Sequence, residues 1–235
     1  MNAPQIISFR KNSPVELALI REANHRVANQ LTILANLIQA QAIGAGKGPA
    51  LFSRDQVQGM LREVAGKVIT VGHLHRRLAD DPGEQDLDLA NYLVESSRAL
   101  VKSLSIEGRV GVVHRLGASC PVKPDQAQPI ALIVAEIIMN AVKHAHPTGI
   151  PVEISMRCDR DAQGRPVLEI EDDGIGFPEG FDPNTGGGVG FRLMRVLAAS
   201  IDADLDIDSD SLGTRFQLTL PVPMPLPSEP LHSID

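Results

Sequence analysis

Glu22, His25 and Asn29 stand three and four residues apart near the start of the chain. On a helix those steps put all three on one face. The carboxylate can orient the imidazole or take its proton, and the carboxamide can hold a water or a phosphoryl oxygen. Apolar residues recur around them at Ile20, Ala23, Val27, Leu31, Leu34 and Ile38, the spacing of one helical stripe. His25 lies beside that stripe, so its ring faces outward. One outward histidine on an amphipathic helix is ordinarily a solvated side chain, and its weight depends on the rest of the chain.

A second group follows on the apolar stretch Pro129 to His144. Ile130, Ile133, Val134, Ile137 and Ala141 share one side. Glu136, Asn140, Lys143 and His144 share a neighbouring strip. The strip suits a metal-bound polyphosphate: the amide oxygen of Asn140 is a hard ligand for Mg2+, Lys143 neutralises phosphate charge, and Glu136 orders a metal-bound water or acts as a base. Next, Glu171-Asp172-Asp173-Gly174-Ile175-Gly176 closes a strand. Asp172 there can accept from an exocyclic amine such as that of adenine, and Gly174 and Gly176 let the backbone come close to a ligand. Gly186, Gly187, Gly188 and Gly190 precede another helix, whose N-terminus attracts phosphate. Gly213-Thr214 then offers a hydroxyl at the start of the last strand.

These groups need positioning, and the patterning says by what. Ser13-Pro14 opens a helix reaching about residue 43, with Gly44, Gly46, Gly48 and Pro49 as its breakers. A second helix covers 53–78, with Val57, Leu61, Val64, Val68, Val71 and Leu78 as its stripe. His75 fills a stripe position, and neither His73 nor His75 is given a role. A lone hairpin cannot bury both stripes, so residues 14–80 are expected to form a homodimeric four-helix bundle. Residues 1–13 are a short polar extension and 81–86 a linker broken by Pro82-Gly83. Residues 87–220 read as helix, strand, helix, two strands joined at Asp161-Ala162-Gln163-Gly164, a glycine-rich loop, helix and two strands. That order predicts an α+β chain whose second domain is a two-layer α/β sandwich. Residues 221–235 are a proline-rich tail.

Composition narrows the function. The 235 residues carry a net charge of −7, which argues against nucleic acid as the main partner. Residues 1–80 hold ten Lys and Arg against five Asp and Glu, and the remainder twelve against twenty-four, which reads either as ordinary surface variation or as a basic docking face for an acidic partner. Trp is absent, so aliphatic side chains fill the core. Cys120 and Cys158 have no metal-binding spacing and are expected to be reduced. No apolar run is long enough to span a bilayer, there is no signal-peptide core, and a cytoplasmic protein without membrane insertion is expected.

The order Glu-x3-Asn helix, Asp-x-Gly-x-Gly, glycine-rich lid and Gly-Thr resembles the ATP-binding domain shared by histidine kinases, type II topoisomerases, mismatch-repair ATPases and the large heat-shock chaperones. His25-Arg26-Val27-x-Asn29 in an amphipathic hairpin resembles the histidine box of bacterial sensor histidine kinases, in the branch whose box begins His-Arg-Val. The resemblance covers about residues 14–220. It implies a Bergerat-type (GHKL) ATPase fold, ATP and Mg2+ as cofactors, His25 as phosphoacceptor, Asn140 as a metal holder and Asp172 as the adenine reader. Gly174, Gly176, Gly186, Gly188 and Gly190 would shape pocket and lid. It further implies a response-regulator receiver domain as partner and sensory input from a separate protein. The chain departs from the branch at Ala28-Asn29-Gln30, where Lys-Asn-Asn is usual, and so lacks a basic residue beside the phosphoacceptor. The rival readings are a phosphotransfer adaptor that does not use ATP, a regulator phosphatase using Asn29, and a chaperone-like ATP clamp, which leaves the histidine hairpin unexplained.

Overall fold

The computed structural model describes residues 51–80, 87–104, 106–116, 120–146, 149–183, 186 and 188–221, with residues 32, 35, 36, 38, 39, 42, 43 and 46. The extension 1–13, the trio Glu22, His25 and Asn29, the linker 81–86 and the tail from 222 lie outside the described residues. The eight described positions between 32 and 46 are all helical and exposed. Helical backbone therefore persists at Gly46, past the expected break.

Helix α1 (Arg54–Asp80) starts at a reciprocal cap. The Gln56 N–H donates to Ser53 Oγ at 3.2 Å, and the Ser53 N–H to Gln56 Oε1 at 2.8 Å, which satisfies two donors the helix cannot. Of the expected apolar stripe, this helix buries Val71 and half-buries Val64 within the single chain. Val57, Leu61 and Val68 remain exposed, while Gly66, Lys67, Thr70 and Val71 are buried. That second, partly polar face packs on the domain that follows.

The domain begins with β1 (Leu87–Asp88), paired antiparallel with β3 (Pro121–Val122). Asp88 caps α2 (Leu89–Ser103), accepting from the Ala90 N–H at 3.2 Å. This two-residue ladder was not foreseen; strands so short carry no periodicity to read. After β2 (Val110–Leu116), Pro124 opens α3 (Pro124–His144). Then come β4 (Val152–Arg160), β5 (Pro166–Asp172), α4 (Val189–Ala199), β6 (Asp204–Asp210) and β7 (Gly213–Thr219).

The five-stranded sheet runs β2-β4-β5-β7-β6, with β2 and β4 parallel and every other pair antiparallel. Strand alternation divides it cleanly. Ile154, Met156, Leu168, Ile170, Phe216 and Leu218 point into the helical layer and are buried. Asp204, Asp206, Asp208 and Asp210 line the outer side of β6, the edge strand. Such a charged edge resists pairing with another chain. The two-layer α/β sandwich expected from the element order is the observed arrangement. Its core is aliphatic: Leu89, Leu93, Ile130, Leu132, Ile133, Ile137 and Ile138 are almost wholly buried.

Candidate functional site

Strand β5 places Asp172 at an inward-facing position, in line with Leu168 and Ile170 and opposite Thr214 of β7. A carboxyl there must be satisfied internally. Its Oδ1 accepts from the Gly174 N–H at 3.0 Å and the Thr214 N–H at 3.3 Å. Burial holds the carboxyl above the ordinary aspartate range, against the opposite pull of those two N–H groups. Thr214 Oγ1 sits 3.3 Å from Ser209 Oγ, and Ser209 Oγ accepts from the Phe177 N–H at 2.8 Å. One carboxyl and one hydroxyl pair thus tie β5, β7 and the loop after β5 together.

The glycines around Asp172 serve the fold more directly than the sequence suggested. A Cβ on Gly174 would lie 2.7 Å from Ala145, whose carbonyl accepts from the Ile175 N–H at 3.0 Å. Gly176 has φ +69°, and a Cβ there would stand 2.0 Å from the Asp210 carbonyl oxygen. These residues let backbone meet backbone. Asp173 pins the same corner: its Oδ1 accepts from the Glu153 N–H at 2.9 Å and lies 3.1 Å from His146 Nε2.

The loop from Gly174 to Gly188 is held at its far end by aromatic packing. Phe177 lies 4.8 Å from Phe181 and 5.7 Å from Phe191, and Phe191 lies 6.5 Å from the buried Phe216. Arg195 donates to the Pro183 carbonyl, and the Gly186 N–H to the Asp182 carbonyl at 2.7 Å. Gly188 precedes α4, with open space where a Cβ would be. Gly190, the second residue of α4, lies against α3: a Cβ there would be 2.7 Å from Glu136 Oε2 and 3.9 Å from Asn140 Nδ2.

On α3, Glu136, Asn140, Lys143 and His144 do share a strip, but its two ends differ: α1 covers Glu136, while Lys143 and His144 stay exposed. Glu136 is buried, and its carboxylate meets the equally buried Lys67 Nζ of α1 at 2.7 Å. Lys143 pairs with Glu63 of α1. The cause of the difference is the second face of α1, whose helical period brings Glu63 and Lys67 onto the strip together. Between these pairs the Nδ2 of Asn140 is buried without a hydrogen-bond partner. Burial keeps Lys143 below the usual lysine range. His144 is lowered by burial and then by the Lys143 charge, so its ring is neutral at pH 7.

A separate open cleft of about 500 Å³ borders Asp172 and Thr214 on the outer side of the β6–β7 hairpin. Glu171, Asp208 and Asp210 line it, and its cation Arg215 is bonded to Asp208 at 2.7 Å. Its charge suits no polyphosphate, which directs attention to the strip on α3 and the lid.

Comparison with known proteins agrees with this geometry. Residues 22–104 match the family described as histidine kinase, and residues 125–224 match the histidine kinase-, DNA gyrase B- and HSP90-like ATPases. Residues 22–104 thus carry the pattern of the histidine kinase family, and residues 125–224 that of the wider ATPase family. The sensor histidine kinase PdtaS of Mycobacterium tuberculosis is 27% identical over 185 residues, covering 78% of this chain and 35% of that protein. Blue-light-activated histidine kinase 2 of Erythrobacter litoralis is 25% identical over 78% of this chain and 51% of its own length. The chain therefore spans between a third and about half of these curated relatives. Among solved structures, the EL346 blue-light-activated histidine kinase of Erythrobacter litoralis superposes with a TM-score of 0.66 at 22% identity, covering 91% of this chain and 62% of that one. Its histidine kinase domain alone gives 0.58 at 22%, over 80% and 95%. These likenesses show the fold. Among the described residues, no helix is long and apolar enough to cross a membrane.

Of the residues singled out in the sequence, the fold joins Asp172, Gly174, Gly176 and Thr214 at one corner and Glu136, Asn140 and Gly190 at another. Lys143 and His144 extend the second corner, and Gly186 and Gly188 bound the lid. Four contributors escaped the sequence reading. Gly213 has φ +145°, and a Cβ there would be 1.8 Å from the Asp172 carbonyl oxygen. Asp173 and His146 lock the corner, and Lys67 reaches Glu136. Gly-Thr and Asp-Asp-Gly were in view, so the first two were within reach; a lysine contacting a helix about seventy positions away was not.

Two outcomes follow for this corner. Gly176→Ala combines a left-handed φ with a backbone clash and should lower stability by more than about 1 kcal/mol, whereas Gly188→Ala should stay within about 0.5 kcal/mol; urea unfolding compares them. Asp172→Asn keeps an oxygen for both N–H groups and removes a buried charge. Because the folded-state pKa is raised, the native carboxyl holds its proton longer than the unfolded one, so its contribution to stability falls as pH rises through that window. The amide variant should match or exceed the wild type in stability at pH 7 and lose that slope, read from urea midpoints across pH 3–7.

Proposed function

We propose that this chain is the kinase core of a two-component system, moving the γ-phosphoryl group of Mg-ATP to His25 and then to an aspartate of a response-regulator receiver domain. The observation that carries the reading is the pairing of an inward carboxyl at Asp172 with a buried, unpartnered amide at Asn140. One suits the exocyclic amine of adenine, and the other suits the phosphate end. The amide has chemistry for both parts of that end: Nδ2 donates to a phosphate or water oxygen, and Oδ1 ligates a hard cation. Among the described residues there is no cluster of three His, Cys, Asp or Glu side chains for a metal. Magnesium here would rely on Asn140 and the phosphates themselves, as is usual for nucleotide-bound magnesium. When bound, it supplies neutralisation of the polyphosphate charge.

The chain's own residues do the rest. Asp172 and Thr214 receive the base, with Gly174 and Gly176 forming the wall. Gly186, Gly188 and Gly190 allow the lid and the α4 N-terminus to approach phosphate oxygens. Lys143 and His144 lie at the end of the strip, Lys143 as the cation. A neutral His25 forms the N–P bond as the bond from phosphorus to the bridging oxygen breaks and ADP leaves; the ring then loses its N–H proton. Glu22 orients that ring, Asn29 holds a phosphoryl oxygen or water, and Glu136 orders water or serves as a base. Positioning and charge neutralisation supply most of the acceleration.

The exposed apolar residues Val57, Leu61 and Val68 of α1, with Ile38 and Ile43, support self-association through residues 14–80. Light scattering should find a dimer at micromolar concentration and a monomer for Leu61→Glu; a monomeric wild type would refute the bundle. Incubation with γ-labelled Mg-ATP should label the wild type and not His25→Ala, and Asn140→Ala should weaken nucleotide binding roughly 10-fold or more. Label surviving in His25→Ala would overturn the assignment. Calorimetry finding no nucleotide binding would leave the ATP-independent adaptor.

A further inference from the structure

Two crossed ion pairs join α1 to the strip on α3. Lys67 and Glu63, one turn apart, face Glu136 and Lys143, two turns apart. The charges alternate, so each helix presents one anion and one cation. Gly66 lies between them on α1, where even a Cβ would stand 3.3 Å from Leu100 and 3.4 Å from Leu104. The helix therefore sits close upon α2 while its charges reach α3. Lys67 and Glu136 have side chains only 6% and 7% exposed. Beneath this contact Asn140 Nδ2 is shut away from water with no partner.

A polar arrangement of this kind is a poor permanent weld. The attraction within a buried pair does little more than offset the desolvation of its two charges, and an orphaned amide adds a cost. It is well suited to exchange. Glu136 needs a cation and Lys143 needs an anion, and a magnesium–nucleotide brings both. Helix α1 occupies the groups to which that ligand would bind.

We infer that the Lys67–Glu136 and Glu63–Lys143 pairs form an inhibitory clasp, in which α1 covers the phosphate end of the nucleotide site and is displaced when Mg-nucleotide binds. The clasp rests on the nucleotide reading given above and adds its regulation. Whatever moves α1 changes nucleotide affinity, and nucleotide in turn loosens α1 by the same factor. Helix α1 is thus both the expected hairpin partner of the helix bearing His25 and the stopper of the site that phosphorylates it.

Calorimetric titration of the full chain with a non-hydrolysable ATP analogue and Mg2+ tests this, using the wild type, Lys67→Gln, Glu63→Gln and, as a control on the outer sheet face, Arg157→Gln. The two clasp variants should bind about 5-fold tighter or more, and Arg157→Gln should match the wild type. Amide hydrogen exchange over residues 60–71 of the wild type should rise when the analogue is added. Glu63→Gln leaves the buried pair intact, so it reports even if Lys67→Gln fails to fold. Unchanged or weaker binding by Glu63→Gln, or unchanged exchange in α1 with bound analogue, would overturn the clasp while leaving the nucleotide reading in place. No binding by either the wild type or Glu63→Gln would remove both.

Discussion

A single oxygen, Oδ1 of Asp172, accepts N–H groups from Gly174 and Thr214, and the candidate site is arranged around that fact. The carboxyl stands where a hydrophobic side chain would otherwise continue the inner face of β5. It is tolerated because two backbone donors turn toward it, and they can do so only because Gly174 and Gly213 have no side chains to collide with Ala145 and the Asp172 backbone. With Oδ1 engaged, the remaining carboxylate oxygen is the acceptor available to a ligand. Burial raises the cost of its charge, which makes an incoming donor more valuable there than at the surface.

The other half of the site is built from a contact between domains. The aromatic group Phe177, Phe181, Phe191 and Phe216 carries the sheet's core out to the lid, so the loop is moored at one end by dispersion and burial. At the other end Gly190 brings α4 against Glu136 and Asn140. Helix α1 completes this corner with charged groups. Packing therefore holds the Asp172 corner firmly, while the Glu136–Asn140 corner is closed by interactions that charge can exchange.

Much of this was legible in the sequence because it is local. The helix 124–144 announces itself by its apolar side and by the proline that opens it, and the strands by alternation. The grouping of Glu136 with Asn140, and Asp172 before two glycines, followed from spacing and a strand end. What was illegible was relational. The stripe Val57, Leu61 and Val68 was read as the face for a second copy of the chain, but nothing in the pattern marked the other face, with Gly66, Lys67 and Thr70, that is buried within the chain. Hydropathy gives no credit to a lysine that is buried by meeting a glutamate on another helix. The small ladder of Leu87 with Val122 is likewise a long-range pairing without a local signal. Gly174 and Gly176 were read as room for a ligand, and they also admit neighbouring backbone.

The claim on which the rest stands is that nucleotide takes the groups now shared between α1 and α3. A crystal structure of the full chain with Mg2+ and a non-hydrolysable ATP analogue tests it most directly. The account predicts the adenine amine on Asp172, phosphates beside Asn140 and Gly190, and Lys67 withdrawn from Glu136. Nucleotide seated elsewhere, or seated there with the Lys67–Glu136 contact still closed, would contradict it.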